Sequence, residues 1–76
     1  MPPLPVLKPG QLIRVLERLG FRVIRQRGSH IRLGHEDGRV VTVSFHAGRD
    51  IGRGLLRKVL RDAELSPQDL IEALED

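Results

Sequence analysis

FRVIRQRGSHIRLGHEDGRVVTVSF, residues 21–45, decides the fold. Phe21 and Val23 fall on one face and Arg22 on the other, while Ile24 blurs the alternation; residues 21–26 read as a strand. Arg27-Gly28-Ser29 is a turn. Residues 30–34 alternate cleanly, with Ile31 and Leu33 on one face and His30 and Arg32 on the other. Glu36-Asp37-Gly38-Arg39 holds Asp-Gly, a hairpin dipeptide. Residues 40–45 form the third strand, with Val41, Val43 and Phe45 inward and Thr42 and Ser44 outward. Three consecutive strands joined by short turns make an antiparallel meander.

The flanks supply the cover that such a sheet needs. Leu12, Ile13, Leu16 and Leu19 recur at helical spacing with Val15 beside them, and Gly20 follows where a left-handed cap belongs. This predicts a helix over 10–19, with Pro9 in its first turn or just before it. Residues 1–8 read as an extended, proline-rich lead-in with frayed structure. After a glycine-rich loop from His46 to Gly54, Leu55, Leu56, Val59, Leu60 and Ala63 mark a second helix over 54–63. Ser66 as N-cap, Pro67 at the first helical position and Asp69 at the capping-box position open a short acidic helix within 66–76. The expected fold is α+β, a two-layer α-β-β-β-α sandwich in which two helices cover one face of a three-stranded antiparallel sheet. That is the layout of double-stranded-RNA-binding domains. It leaves His30 and Arg32 facing solvent.

A length of 76 residues is expected to make one domain over 1–76, and 39% apolar residues suffice for one thin core. The chain has no cysteine, which excludes disulfides, thiol nucleophiles and cysteine metal sites. No apolar run nears the roughly 18 residues of a spanning helix, and the N-terminus lacks a signal-peptide pattern. The expectation is a soluble, cytoplasmic protein with no membrane partner. Charge is unevenly placed. Residues 1–61 hold all thirteen bases and four acids, a net of +9; residues 62–76 hold six acids and no base, a net of −6. Eleven of the bases are arginine, whose planar fork matches phosphate bidentately. A basic body with this composition points to a polyanion such as nucleic acid. The acidic end is expected either to cover that body or to aid solubility.

Several chemistries are missing. There is no phosphate-binding loop of the Walker type, no dinucleotide fingerprint and no histidine–carboxylate spacing suited to a metal, so neither cofactor nor metal is expected. Phe21 and Phe45, the only aromatics besides histidine, read as core, which argues against base stacking on aromatic rings. Three histidines remain. His35, at the mouth of a hairpin turn, reads as plain surface, and His46 as a loop residue following the third strand. His30 opens the second strand on the exposed face. Arg27 and Arg32 are near it in sequence, and Arg22 and Arg25 lie on the adjacent strand. An imidazole placed so can approach a phosphodiester that arginines already hold.

The order Lys8-Pro9, Leu16-x-x-Leu19-Gly20-Phe21, Arg25-Gln26-x-Gly28-Ser29-His30 resembles the HicA-type toxin family of small mRNA interferases. Val43-x-x-His46 and the run from Gly54 to Leu60, which contains Arg57 and Lys58, extend the resemblance over about residues 8–66. The resemblance implies a double-stranded-RNA-binding-like fold, metal-free cleavage of mRNA and silencing by a HicB-type antitoxin. It matches the family's essential histidine to His30 and its preceding glycine to Gly28, a structural glycine here. Two positions depart from the pattern: Ser44 stands where proline is common, and Leu55 where threonine is. The reading that follows makes His30 the general base, places Ser29 near the phosphate or the imidazole, and makes His46 a candidate acid. Arg22, Arg25, Arg27, Arg32, Arg57 and Lys58 are the RNA-binding set. The alternatives are an RNA-binding module without catalysis and a protein-interaction domain.

Overall fold

The computed structural model describes residues 4–46 and 48–75. Met1–Pro3 of the expected lead-in, Ala47 of the loop and Asp76 of the acidic end lie outside the described residues. The elements are α1 (Pro9–Arg18), β1 (Arg22–Arg27), β2 (His30–Gly34), β3 (Val40–Ser44), α2 (Arg53–Ala63) and α3 (Pro67–Leu74). The strands form one antiparallel sheet in the order β1-β2-β3. This is the expected α-β-β-β-α arrangement, followed by α3, the short C-terminal helix also expected.

Pro9 occupies the first helical position of α1, where its missing N–H costs nothing. The Gln11 side chain accepts from the Lys8 N–H at 2.8 Å and fixes the helix start. At the other end Gly20 is left-handed, with φ +98°. Gly20 N–H donates to the Glu17 carbonyl and Phe21 N–H to the Leu16 carbonyl. This crossed pair satisfies the last carbonyls, and it brings Phe21 down onto Leu16, both being buried. The helix end therefore delivers Phe21 into the core before β1 begins.

Apolar faces meet where expected in β2 and β3. Ile31, Leu33, Val41 and Val43 are buried under Leu12, Val15 and Leu16 of α1 and Leu56, Val59, Leu60 and Ala63 of α2. The capping box of α3 is as read: Asp69 N–H donates to Ser66 Oγ at 3.0 Å and Ser66 N–H to Asp69 Oδ2 at 2.8 Å. Leu70 and Ala73 then pack α3 into the same core.

Four expectations need correction. Val23 does not share a buried face with Phe21: it is 47% exposed, because β1 is an edge strand that the helices do not cover. Phe45 does not point into the core. It lies just past the end of β3 and is 36% exposed. The lead-in is not frayed at its end, since Leu7 is buried, its carbonyl accepts from Ile51 N–H at 2.7 Å, and Lys8 Nζ reaches Asp50 Oδ1 at 2.8 Å. The acidic α3 does not cover the basic sheet face. It packs beside α1, where Arg18 Nη1 donates to the Ala73 carbonyl at 3.0 Å.

The two phenylalanines should separate cleanly by mutation. Phe21→Ala should cost about 3–5 kcal/mol in urea denaturation, as a buried aromatic does. Phe45→Ala should cost less than about 1 kcal/mol.

Candidate functional site

The sheet face turned away from the helices is set by two local devices. The first is the β1–β2 turn. Gly28 has φ +57° at the first central position, and Ser29 completes a two-residue link between Arg27 and His30. A positive φ at the first position alone is the pattern of a type II′ hairpin, which asks for glycine there. Ser29 is half-buried, and its carbonyl accepts from Phe45 N–H at 2.6 Å, tying the turn to the end of β3.

The second device is a bulge between Val23 and Arg25. Alternation from Val23, which pairs with buried Leu33, would send Arg25 and Arg27 to the helix side. The extra residue, Ile24, reverses the phase. Arg25 now pairs with Arg32, and Arg27 with His30. The outer face therefore carries three cross-strand rows: Arg27, His30 and Ser44; then Arg25, Arg32 and Thr42; then Arg22, Gly34 and Val40. Two residues of rise separate neighbouring rows by about 6.7 Å.

Arg25, Arg27, His30, Arg32 and Thr42 line one shallow groove of ≈ 190 Å³. Its charge is unbalanced. No strand contains an acidic residue, and among the described residues no ion pair involves Arg22, Arg25, Arg27 or Arg32. Arg25 and Arg32 face each other directly, and like charges so placed destabilise a sheet. An anion bridging them would remove that repulsion and gain charge-assisted hydrogen bonds.

The site residues read from the sequence divide accordingly. His30, Arg25, Arg27 and Arg32 come together in the groove, and register places Arg22 and Ser44 on the same face. His46 is exposed, two residues beyond Ser44, the partner of His30. Arg57 and Lys58 do not join them: both sit on α2 in the helical layer, and Lys58 Nζ pairs with Asp62 Oδ2 at 2.7 Å.

His35 is not plain surface. Its ring meets Phe21 edge-on at 5.1 Å, and its Nδ1 lies 3.1 Å from both the Asp37 backbone N–H and Asp37 Oδ1. Nε2 lies so near Gly20 that a Cβ there would approach it to 2.7 Å. Arg39 closes the other side of Phe21 at 5.0 Å, grips Asp37 Oδ2 through Nε at 2.8 Å, and donates to the Ala63 carbonyl. His35, Phe21 and Arg39 thus bind the second hairpin to the ends of α1 and α2. Gly20, already called for by its positive φ, also leaves room for the ring.

Among the described residues, no three His, Cys, Asp or Glu side chains group as metal ligands. No helix formed by the described residues is long and apolar enough to cross a membrane.

Such a molecule is a small α+β domain with a covered core and an open, uncompensated arginine face around one histidine. Residues 10–65 match the family model described as HicA toxin of bacterial toxin–antitoxin, well over half of the chain. The chain belongs to the HicA toxin family and is the toxin type of a toxin–antitoxin pairing. No curated protein matches it individually.

The turn around His35 makes a pH prediction. Bonds from the Arg39 side chain, then from the Arg39 N–H, hold the Asp37 carboxyl below its ordinary value of 3.8. A depressed folded value stabilises the fold above the ordinary value, and the contribution is lost as pH falls through the folded value. Asp37→Asn should therefore melt below wild type at neutral pH. The gap should close as the medium is acidified below pH 3.8. Thermal melts across that range check it.

Proposed function

We propose that this toxin is a metal-independent endoribonuclease that cleaves mRNA in the cytoplasm, with His30 as its acid/base residue. The observation that supports this best is the placing of His30: exposed, in one row with Arg27, and beside the facing pair Arg25 and Arg32 with no carboxylate near.

RNA carries its own nucleophile. His30 takes the proton from a ribose 2′-hydroxyl, and the 2′-oxygen attacks the adjacent phosphorus. Arg27, Arg25 and Arg32 hold the non-bridging oxygens as charge builds on them. The bond to the 5′-oxygen breaks, and that oxygen takes a proton. The products are a 2′,3′-cyclic phosphate and a 5′-hydroxyl. His46 is the candidate donor for the last step, although His30 can return its own proton. Ser29 positions the phosphate or the imidazole. Arg22 extends the anion-binding face. Arg57 and Lys58, on the helical layer, serve a distal stretch of RNA at most.

A HicB-type antitoxin silences the enzyme by occupying the outer sheet face. An acidic contact surface would be steered there by the arginines without distorting the core.

Single-stranded RNA and its 2′-deoxy analogue provide the test. Wild type should shorten only the RNA, leave cyclic-phosphate and 5′-hydroxyl ends, and be indifferent to EDTA. His30→Ala should lose at least about 100-fold in rate while still binding RNA. Ends bearing 5′-phosphate, or full activity of folded H30A, would overturn the mechanism. RNA that is bound and left whole would make the protein a binding module instead. Binding should also weaken with salt. Each of Arg25, Arg27 and Arg32 changed to Gln should reduce the slope of log affinity against log salt by about 0.7 where it contacts one phosphate.

A further inference from the structure

The third row of the outer face differs in chemistry from the first two. Gly34 stands at its centre, with Arg22 on one side and Val40 on the other. Ile24, displaced by the bulge, lies over Gly34: a Cβ built there would sit 3.4 Å from Ile24 Cδ1. Ile24 is 58% exposed and Val40 36%. With no side chain of its own, Gly34 lets Ile24 lie flat across the strand. The result is a hollow of ≈ 370 Å³ with an apolar floor of Ile24, Gly34 and Val40 and a polar rim that includes Arg22, His35 and Glu36.

We infer that this hollow receives a nucleobase of the RNA strand whose phosphates lie on the arginine rows, and that it favours bases carrying an exocyclic amino group. The inference rests on the ribonuclease reading and names a specificity site for it. Three features carry it. The hollow is continuous with the arginine groove, since Gly34 and Val40 follow Arg32 and Thr42 by one row. The surrounding strands contribute only positive charge, which suits the backbone of the strand that brings the base. Its floor offers the aliphatic side chains of Ile24 and Val40 to a flat ring, while the Glu36 carboxylate can only accept hydrogen bonds. Adenine, cytosine and guanine present amino donors to such an acceptor; uracil has no exocyclic amino group and offers carbonyl oxygens and one ring N–H.

The geometry also fixes the distance from the chemistry. Gly34 is four residues along β2 from His30, about 13 Å of strand. The recognised base therefore lies away from the cleaved bond, with an intervening phosphate on Arg25 and Arg32.

Binding measured with His30→Ala tests this without cleavage, by fluorescence anisotropy with labelled strands of equal length. The strands are oligoadenylate, oligocytidylate, oligouridylate and an abasic ribose-phosphate chain. Expected are at least tenfold tighter binding of the adenine and cytosine strands than of the abasic one, with uridylate in between. Adding Ile24→Ser or Gly34→Val should collapse that gap while abasic binding stays within twofold. Gly34→Val places its branches against Ile24, whose Cδ1 would lie 3.4 Å from the new Cβ, and Ile24→Ser is the independent variant should the valine shift the strand. Adding Glu36→Gln should erase the advantage over uridylate alone. Equal binding of abasic and base-bearing strands by H30A would overturn the inference and leave the ribonuclease reading standing. So would a gap that survives both Ile24→Ser and Gly34→Val, or variants that release only the antitoxin. Failure of every strand to bind would remove the ribonuclease reading itself, and this site with it.

Discussion

One extra residue in an edge strand governs what the outer face of this protein presents. Alternation along β1 would turn the side chains of Arg25 and Arg27 to the helix side of the sheet, away from Arg32 and His30. Insertion of Ile24 shifts the phase by one and brings both arginines beside Arg32 and His30. The same shift moves Ile24 onto bare Gly34. The facing arginines, the exposed imidazole and the apolar hollow therefore share one cause. The glycine turn at residue 28 supports it by holding His30 opposite Arg27 in register.

The fold was legible because its signals are local. Alternation in β2 and β3, the heptad-like stripe of α1, Gly20 as a stop and Ser66-Pro67 as a start each depend on a few neighbouring residues. The exposed face of β2, and so the placing of His30 and Arg32, followed from period two alone. The phase of β1 did not. A bulge is defined by its partner strand, and the sequence shows only that Ile24 spoils the alternation. Phe21 and Phe45 look equivalent as aromatic ends of strands. One is drawn inward by the helix cap before it, and the other stands past the last covered residue. His35 was misread because its contacts with Phe21 and Gly20 join parts of the chain about fifteen residues apart. Arg57 and Lys58 were grouped with the site as part of the run that carries the family resemblance, and a linear motif carries no information about which layer its helix occupies.

The two ends of the charge distribution also fall on different layers. Four arginines without ion-pair partners share the open sheet face, while the acids of α3 sit with the helices, beyond a core that separates them. Among the described residues, no ion pair neutralises that face. That leaves the arginine face available both to a polyanion and to an acidic partner, so that inhibition by occupation needs no change of conformation.

Because the core is built from alternate residues of β2 and β3, the intervening residues contribute almost nothing to holding the layers together. Under the proposed ribonuclease mechanism, harm and foldedness are thereby written on opposite sides of the same ten residues. Among survivors of a genetic screen for harmless forms, lesions at even-numbered positions of these strands should yield abundant, intact protein. Those at odd-numbered positions should yield little protein at all, so a blot of the survivors would sort the two kinds before any sequencing.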